Sequence, residues 1–284
     1  TIAMTRGLKR EISDLVSMAA DERMSESLII KKAGRIVVML SLGMMGAGLG
    51  QHVVKPQRVE EKPKIDGVLN EVEWGRAATI SNLGQVEPRE GAKPSERTEV
   101  RLMRTDEALY LGVTCFDGTP AGVLARDRRR DSTGSGDDRL RIVLDPFARG
   151  TEGYFFGIAA GGSLGDGIVR AGNRPEMEWD CIWQAKTRVT ADGWVAEVEI
   201  PFRSISFEPD QEGWGFNIER VMRRREEKLR WASATRQKSL YALEGAGRIT
   251  GMRELKTGLG LDMRPTAVAR WREDENGSVT TELE

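Results

Sequence analysis

Apolar and polar residues alternate along short segments from residue 53 onward. Between residues 193 and 200, for example, Trp194, Ala196 and Val198 occupy every second position. Alternation with a period of two predicts strands with one buried face. By this criterion the predicted strands are residues 98–105, 108–116, 138–147, 154–160, 193–200, 214–221, 229–235 and 248–252.

The segments between these strands are rich in turn-forming residues, such as Asp117-Gly118 and Gly161-Gly162. Many short strands joined by such turns predict an all-β fold. We expect an antiparallel β-sandwich of two sheets, with a jelly-roll or immunoglobulin-like arrangement. One segment departs from alternation at Pro201, which cannot donate to a strand ladder. It predicts a single helical turn that caps one end of the sandwich.

The first fifty residues have the layout of a secretory signal peptide. Met24 is followed by three basic residues, an apolar run and small residues at 43–50. The apolar stretch of about 15 residues is shorter than the roughly 20 that cross a bilayer as a helix. An uncleaved anchor or an amphipathic helix is the alternative. We expect a helical signal segment at 24–50, after a non-native or upstream extension at 1–23, and a mature domain that begins near Gln51. Such a protein is exported to the periplasm, the outer membrane or the extracellular space.

The basic and acidic residues nearly balance, with 43 Lys and Arg against 44 Asp and Glu. Because the chain has no excess of basic residues, it has no net electrostatic attraction to nucleic acid, and we expect no nucleic-acid partner. The arginine runs at 128–130 and 223–225 are expected to be solvated faces. Two cysteines, Cys115 and Cys181, are too few for a disulfide framework. The sequence is compatible with one disulfide bridge between them and equally with two free thiols.

Five segments carry motifs in a fixed order. They are residues 64–74, with Ile65-Asp66-Gly67 and Trp74; residues 106–113, with Ala108-Leu109-Tyr110; residues 137–146, with Asp137-Asp138 and Leu144-Asp145-Pro146; residues 193–202, with Gly193-Trp194 and Ile200-Pro201-Phe202; and residues 214–220, followed by an Arg- and Glu-rich turn to Trp231. In this order they resemble the motifs of family 9 carbohydrate-binding modules. The resemblance implies a β-sandwich that binds polysaccharide, for example xylan, or sugar ends without catalysing a reaction. Relatives of such modules are often joined to xylanases or other hydrolases, so carbohydrate catabolism is the expected context.

In one branch of these proteins the module is followed by an outer-membrane β-barrel that resembles TonB-dependent receptors. In residues 259–272 of this chain, apolar and polar residues alternate, and Trp271 lies near the end. A strand of about ten residues with an aromatic residue at its rim is typical of a barrel strand. Residues 257–284 are interpreted as the start of a truncated C-terminal β-barrel or, alternatively, as one more sandwich strand and a tail. The module itself is assigned to residues 53–256.

If the barrel exists, the coding sequence beyond Glu284 continues with repeated alternating strands of about ten residues each. Sequencing the gene past this point is the measurement. A stop codon there, or a continuation without such strands, would contradict the barrel interpretation.

The expected sugar site is a loop that combines aromatic and polar residues. Flat aromatic faces stack on sugar rings, while carboxylates, amides and guanidinium groups bond to the hydroxyls. Trp179, Asp180 and Trp183 follow a polar loop that contains Arg170 and Asn173. We predict that these five residues bind carbohydrate; the alternative is that one or both tryptophans close the sandwich core. The tryptophans in the apolar phase of their segments are expected in the core: Trp74, Trp194, Trp214 and Trp231.

Acidic residues beside turns suggest a structural calcium ion, which the family resemblance also implies. They are Asp66, Asp117, Asp137, Asp138 and Asp145. No segment has the ligand spacing of a calcium loop. An Asp in a turn commonly accepts a hydrogen bond from nearby backbone, so turn stabilisation is the alternative. One His and two separated Cys disfavour zinc.

Motifs of an active site are missing: the sequence has no Ser/His/Asp set and no phosphate loop. A glycoside hydrolase needs two carboxylates about 5 to 10 Å apart, and Glu197 and Glu199 are interpreted as the polar face of a strand. We therefore favour non-catalytic carbohydrate binding at the bacterial cell surface. Two alternatives stay open. One is a structural periplasmic domain of an outer-membrane β-barrel protein without sugar binding. The other is a glycoside hydrolase acting on O-glycosyl bonds, an activity we would assign to a partner domain.

Overall fold

The computed structural model describes residues 52–130, 136–170 and 172–256, and the backbone of two further strands. In chain order the strands are β1 (Val53–Val54), β2 (Gln57–Arg58), β3 (Ala78–Ile80), β4 (Gly84–Glu87), β5 (Thr98–Arg104), β6 (Ala108–Phe116), β7 (Arg139–Asp145), β8 (Glu152–Ala159), β9 (Leu164–Arg170), β10 (Gln184–Thr190), β11 (Gly193–Pro201), β12 (Trp214–Met222), β13 (Glu227–Arg230), β14 (Gly247–Ile249), β15 (Ala269–Glu273) and β16 (Val279–Leu283). Short 3-10 turns lie at Val72–Gly75, Pro120–Gly122, Phe202–Ser204, Arg223–Arg225 and Leu243–Gly245. The predicted signal segment and upstream extension, residues 1–50, lie outside the described residues.

Two sheets pack against each other. The first sheet has the order β1-β14-β12-β7-β8-β9, and β13 pairs with both β12 and β4. The second sheet has the order β10-β11-β6-β5-β2, with β3 also paired to β5. Neighbouring strands are antiparallel, apart from the short parallel pairs β1–β14 and β2–β5. The prediction of an all-β, two-sheet sandwich is confirmed.

Every predicted strand is present, as is the predicted helical turn after Pro201, at Phe202–Ser204. The prediction of a strand at 229–235 was wrong at its C-terminal end, because β13 ends at Arg230. There the Arg230 guanidinium bonds to carbonyls of residues 233 to 238, including that of Lys238 at 2.7 Å, so the chain turns away from the ladder. Strands β9 and β10 were missed, as were the short strands β1 to β4. Glycines interrupt β9, and the less polar face of β10 carries only Ala185, Thr187 and Val189, which makes a weak apolar alternation.

The main core fills the space between the sheets. Inward positions of the long strands supply it, among them Leu102, Leu111, Ile142 and Ile218. The four tryptophans expected in the core are all buried, which confirms the prediction: Trp74, Trp194, Trp214 and Trp231. At about 25 cal/mol per Å² of apolar surface, each of these rings contributes roughly 4 to 6 kcal/mol of burial as an upper estimate.

A buried arginine ties the two sheets together at one end. Arg220 points inward from β12 and has no exposed surface. Its guanidinium donates to the carbonyl oxygens of Arg97 at 3.0 Å and Phe116 at 2.8 Å, and to the Thr98 hydroxyl at 3.1 Å. All three acceptors belong to the second sheet or its edge. The acceptors that it bonds are neutral, and removal of Arg220 would take a donor from the Phe116 carbonyl, the Arg97 carbonyl and the Thr98 hydroxyl.

A buried carboxylate on the outer face of the second sheet holds the segment before β3. Glu197 lies on that outer face, as the alternation predicts, yet it has no exposed surface. One of its oxygens accepts the backbone N–H groups of Asp66, Gly67 and Val68 at 2.8, 2.6 and 3.2 Å. The other accepts the indole N–H of Trp74 at 3.1 Å. Burial raises the pKa of Glu197, and the three backbone donors oppose that shift.

The segment held by Glu197 covers a second apolar cluster. Trp74 packs there with Met103, Ala108 and Tyr110 on the outer face of the second sheet. Gly112 in β6 makes this packing fit, because a Cβ at that position would lie 2.9 Å from the Trp74 ring. The motif at 64–74 is thus a strap that closes half of this sheet face.

Strands β15 and β16 form a two-stranded antiparallel hairpin in which Ala269 pairs with Leu283. Of the strand predicted at 259–272, only the part within Ala269–Glu273 lies in the described residues. Both cysteine thiols are free, and burial raises the pKa of Cys115 to about 11. Within the described ranges, no helix has the length and apolar character needed to span a membrane.

The hydrogen bonds between Glu197 and the strap predict that removal of this side chain strongly lowers the free energy of unfolding. Glu197→Ala leaves three backbone N–H groups and one indole N–H without an acceptor, so we expect a loss of about 3 kcal/mol or more in the free energy of unfolding. Urea denaturation measures it. Glu208→Ala is the control, since its side chain is 54% exposed; we expect a change within about 0.5 kcal/mol there. Equal midpoints for the two variants would contradict the role of Glu197.

Candidate functional site

Trp183, directly before β10, is a packing residue. Its side chain is only 6% exposed. The indole N–H donates to Asp166 Oδ1 at 2.9 Å, and the ring meets Phe156 edge to face, with centroids 5.1 Å apart. Trp183 therefore has almost no surface for a ligand. It closes the sandwich core instead, which was the alternative to sugar binding for this residue.

Asp166 fixes the segment that carries both predicted tryptophans. This carboxylate on β9 is 1% exposed and also accepts the backbone N–H of Cys181 at 2.7 Å and a guanidinium N–H of Arg130 at 3.1 Å. Burial raises the pKa of Asp166, while the indole and backbone donors oppose the shift. The connection between the two sheets is thereby held in one conformation next to β9.

Trp179 is accessible from solvent. Among the tryptophans whose side chains the structure describes, it is the one that is not buried. Its ring packs on Tyr154, with centroids 4.8 Å apart and the planes inclined by 36°. Tyr154 is itself fixed, because its hydroxyl accepts the backbone N–H of Ser206 at 2.9 Å. The supported indole leaves part of its surface free for a ligand.

Exposed polar and aliphatic residues follow Trp179 in the chain. Asp180 forms an ion pair with Arg130, and the two side chains are 56% and 44% exposed. Ile182 is 67% exposed. We call these four residues, Trp179, Asp180, Ile182 and Arg130, the Trp179 surface. It combines an aromatic ring, an apolar patch and charged hydrogen-bonding groups, as sugar recognition requires.

Arg170 and Asn173 are not part of the Trp179 surface. Arg170 ends β9 and forms ion pairs with Glu176 and, at 3.8 Å, with Glu152. Asn173 is exposed, and its backbone N–H donates to the Arg170 carbonyl at 3.0 Å. Among the described residues, no hydrogen bond or ion pair joins Arg170 or Asn173 to Trp179. Their part in carbohydrate binding stays a prediction.

A second partly exposed aromatic residue, Tyr241, lies on the outer face of the first sheet. Its ring meets Phe155 edge to face at 5.9 Å, and the Arg141 guanidinium lies 6.0 Å from its centroid. The loop that carries it is held by Arg230, which donates to the buried Glu219 at 2.6 Å. We call Tyr241, Phe155 and Arg141 the Tyr241 surface.

Sequence reasoning missed the Tyr241 surface. Tyr241 lies in a loop after β13, where no alternation marks a face. Arg141 of β7 stands opposite Glu219 of β12, but this pairing follows from the strand register, so the sequence alone carried no signal for the surface.

The acidic residues considered for calcium all accept backbone N–H groups. The donors are Val68 to Asp66, Thr119 to Asp117, Arg126 and Asp127 to Asp137, Arg223 to Asp138, and Phe147 and Gly150 to Asp145. Each carboxylate thus stabilises a turn or loop. The described residues contain no group of three or more His, Cys, Asp or Glu side chains placed to hold a metal ion. A structural calcium ion stays a prediction.

Comparisons with solved structures identify similar folds. A family 9 carbohydrate-binding module from Caldicellulosiruptor kristjanssonii, solved in complex with cellotriose and with glucose, is 18% and 17% identical, with a TM-score of 0.49 in both cases and coverage of 74% of this chain and 100% of the module. A protein from Bacteroides uniformis, provisionally described as carbohydrate-binding, is 12% identical with a TM-score of 0.56, over 71% of this chain and 99% of that one. This second likeness shows a shared β-sandwich fold. No family model and no curated protein matches the chain.

Trp179 and Trp183 are expected to differ in how much their replacement by Ala lowers the free energy of unfolding. Trp183→Ala opens a cavity and leaves buried Asp166 without its indole donor, so we expect a loss of about 3 to 5 kcal/mol in the free energy of unfolding. Trp179→Ala, in a partly exposed position, is expected to lose less than about 2 kcal/mol. Denaturation curves monitored by fluorescence test this. Equal losses would show that Trp179 is also a core residue.

Proposed function

We propose that this protein binds carbohydrate through the Trp179 surface. The observation that carries the proposal is the partly exposed Trp179 ring, which packs on Tyr154 and is followed in the chain by Asp180, the partner of Arg130. A pyranose ring would stack its C–H groups on the indole. Asp180 and Arg130 would then bond to ring hydroxyls, as acceptor and donor respectively.

The proposed ligands are plant-type polysaccharides with β-linked backbones, such as xylan or cellulose, or their ends. The sequence resemblance to family 9 modules supports this class. The open position of Trp179 also supports it, because a chain can extend past a ring that stands at the surface. We further propose a role at the cell surface in carbohydrate catabolism, with export directed by residues 24–50 and attachment to a C-terminal outer-membrane β-barrel. The signal-peptide layout and the alternation near residue 270 support this placement.

We propose that binding is not accompanied by catalysis. The buried carboxylates of the described residues have structural partners: Glu197 holds the strap, Glu219 pairs with Arg141 and Arg230, and Asp166 fixes the Trp183 segment. None of these three is free to donate a proton to a glycosidic oxygen in the way a hydrolase requires.

Calorimetric titration of the full chain with cellotriose and xylotriose tests the proposal. Cellotriose is the ligand in one Caldicellulosiruptor structure. We expect binding that weakens about tenfold or more in Trp179→Ala, since loss of one stacking ring costs on the order of 1.4 kcal/mol. Tyr241→Ala is the matched control, because Tyr241 is also a partly exposed aromatic residue on a sheet surface.

The outcomes separate the candidate surfaces. Loss of binding in Tyr241→Ala with retention in Trp179→Ala would move the site to the Tyr241 surface. Absence of binding to either trisaccharide would contradict carbohydrate binding of this class and favour a structural domain. Release of reducing sugar during the titration would contradict the non-catalytic role.

A further inference from the structure

The buried carboxylate of Asp166 bonds directly to the segment that carries Trp179. Asp166 lies in β9 opposite Phe156 of the core and is 1% exposed, so a ligand at the surface does not reach it. Its Oδ2 accepts the backbone N–H of Cys181 at 2.7 Å, and its Oδ1 accepts the indole N–H of Trp183 at 2.9 Å. One side chain therefore binds two donors that stand two positions apart in the connection between the sheets.

Two further contacts hold the same segment, residues 179–183. The Ser204 hydroxyl donates to the carbonyl oxygen of Ile182 at 2.6 Å. At the other end of the segment, the ring of Trp179 packs on that of Tyr154, with 4.8 Å between the centroids. The backbone bond to the buried carboxylate lies between these two contacts along the chain. It therefore contributes to the direction in which the exposed side chains of the segment leave the backbone.

Arg130 connects the buried carboxylate with the surface. Its Nη2 donates to Asp166 Oδ1 at 3.1 Å and also to Asp180 Oδ1. The Asp180 side chain is 56% exposed and is one of the groups proposed to accept sugar hydroxyls. If Asp166 became neutral, it would lose its ionic attraction for the guanidinium, which would then be drawn toward Asp180. A guanidinium that occupies acceptor positions of Asp180 blocks those positions for a sugar.

The surroundings of Asp166 determine when it is ionised. Burial raises the pKa of Asp166, and the negative charge of Asp180 acts in the same direction. The Trp183 indole, the Cys181 backbone N–H and the charge of Arg130 oppose the shift without cancelling it. The Cys181 thiol does not compete for the proton, because burial and the two carboxylates raise its own pKa. Asp166 therefore takes up a proton at a higher pH than an exposed Asp does.

From this arrangement we propose that Asp166 is a positioning residue for carbohydrate binding, and that its charged form holds the Trp179 surface ready for a ligand. It acts through the Cys181 backbone and through Arg130, and it does not touch the sugar. This inference rests on the proposed function of the Trp179 surface. Affinity is then expected to fall as the pH is lowered and Asp166 becomes neutral. Linkage is reciprocal, so bound carbohydrate must lower the pKa of Asp166, by about one unit for a tenfold difference in affinity between the two forms.

The test uses the ¹⁵N-labelled full chain with and without saturating cellotriose. The indole N–H of Trp183 bonds to Asp166, so its resonance reports the ionisation of that carboxylate as the pH is lowered from about 7 to about 4. We expect the midpoint to lie about one pH unit lower with cellotriose than without it. Calorimetric titrations over the same range should show an affinity that falls about tenfold. Circular dichroism at each pH checks that the fold is intact.

Asp166→Asn removes the charge and nearly keeps the shape of the side chain. At neutral pH we expect it to bind cellotriose about tenfold more weakly, and with no further loss as the pH is lowered. The matched control is Asp138→Asn. Asp138 is also a buried Asp, 2% exposed, whose pKa burial raises, but its carboxylate accepts the backbone N–H of Arg223. This control should bind as the wild type does. Asp180→Asn should bind more weakly and keep the pH dependence, since Asp166 still titrates.

A constant affinity while the Trp183 resonance titrates would overturn the proposal, as would a midpoint that cellotriose does not move. Wild-type affinity in Asp166→Asn would do the same. If the pH dependence vanished in Asp180→Asn and persisted in Asp166→Asn, the surface carboxylate would be the titrating group and the proposal would be wrong. If Asp166→Asn does not fold, the two wild-type measurements decide. In all these cases a loss of binding in Trp179→Ala leaves the proposed function standing, whereas absence of cellotriose binding to the wild type at neutral pH overturns both.

Discussion

The buried carboxylate of Glu197 is the interaction on which the second sheet depends. A sheet whose outer face carries Met103 and Tyr110 must cover them, and the strap at 64–74 does so only because Glu197 binds its backbone. Four N–H donors converge on one side chain, so the strap has a single position. Glu197 thus fixes the segment that packs on the apolar cluster of this sheet face.

Buried carboxylates also hold two loops that present an aromatic side chain to solvent. Asp166 holds the segment with Trp183 inside and leaves Trp179 at the surface. Glu219, through Arg230, holds the loop that carries Tyr241. A buried acid with several donors costs desolvation, and good hydrogen bonds offset that cost only in one geometry. The candidate binding surfaces are therefore set by charges that no ligand touches.

Alternation in the sequence was enough to predict the sandwich, its long strands and its core tryptophans, because burial of one strand face follows directly from period two. It could not predict β9, where Gly165 and Gly167 replace side chains, or the burial of Glu197, which depends on a segment 130 residues away in sequence. For the candidate site, proximity in sequence singled out the region of Trp179, whose role in binding stays a prediction. It could not separate Trp179 from Trp183, since the difference rests on Asp166 in another strand.

Nuclear magnetic resonance of the ¹⁵N-labelled protein during a cellotriose titration most directly tests whether Trp179 is the sugar platform. The indole N–H of Trp179 is expected to shift progressively with ligand. Those of Trp183, bonded to Asp166, and of Trp194 and Trp214, both buried, are expected to stay in place. If the Trp179 signal stays fixed while backbone signals around Tyr241 move, or if nothing moves, the account of the Trp179 surface is contradicted.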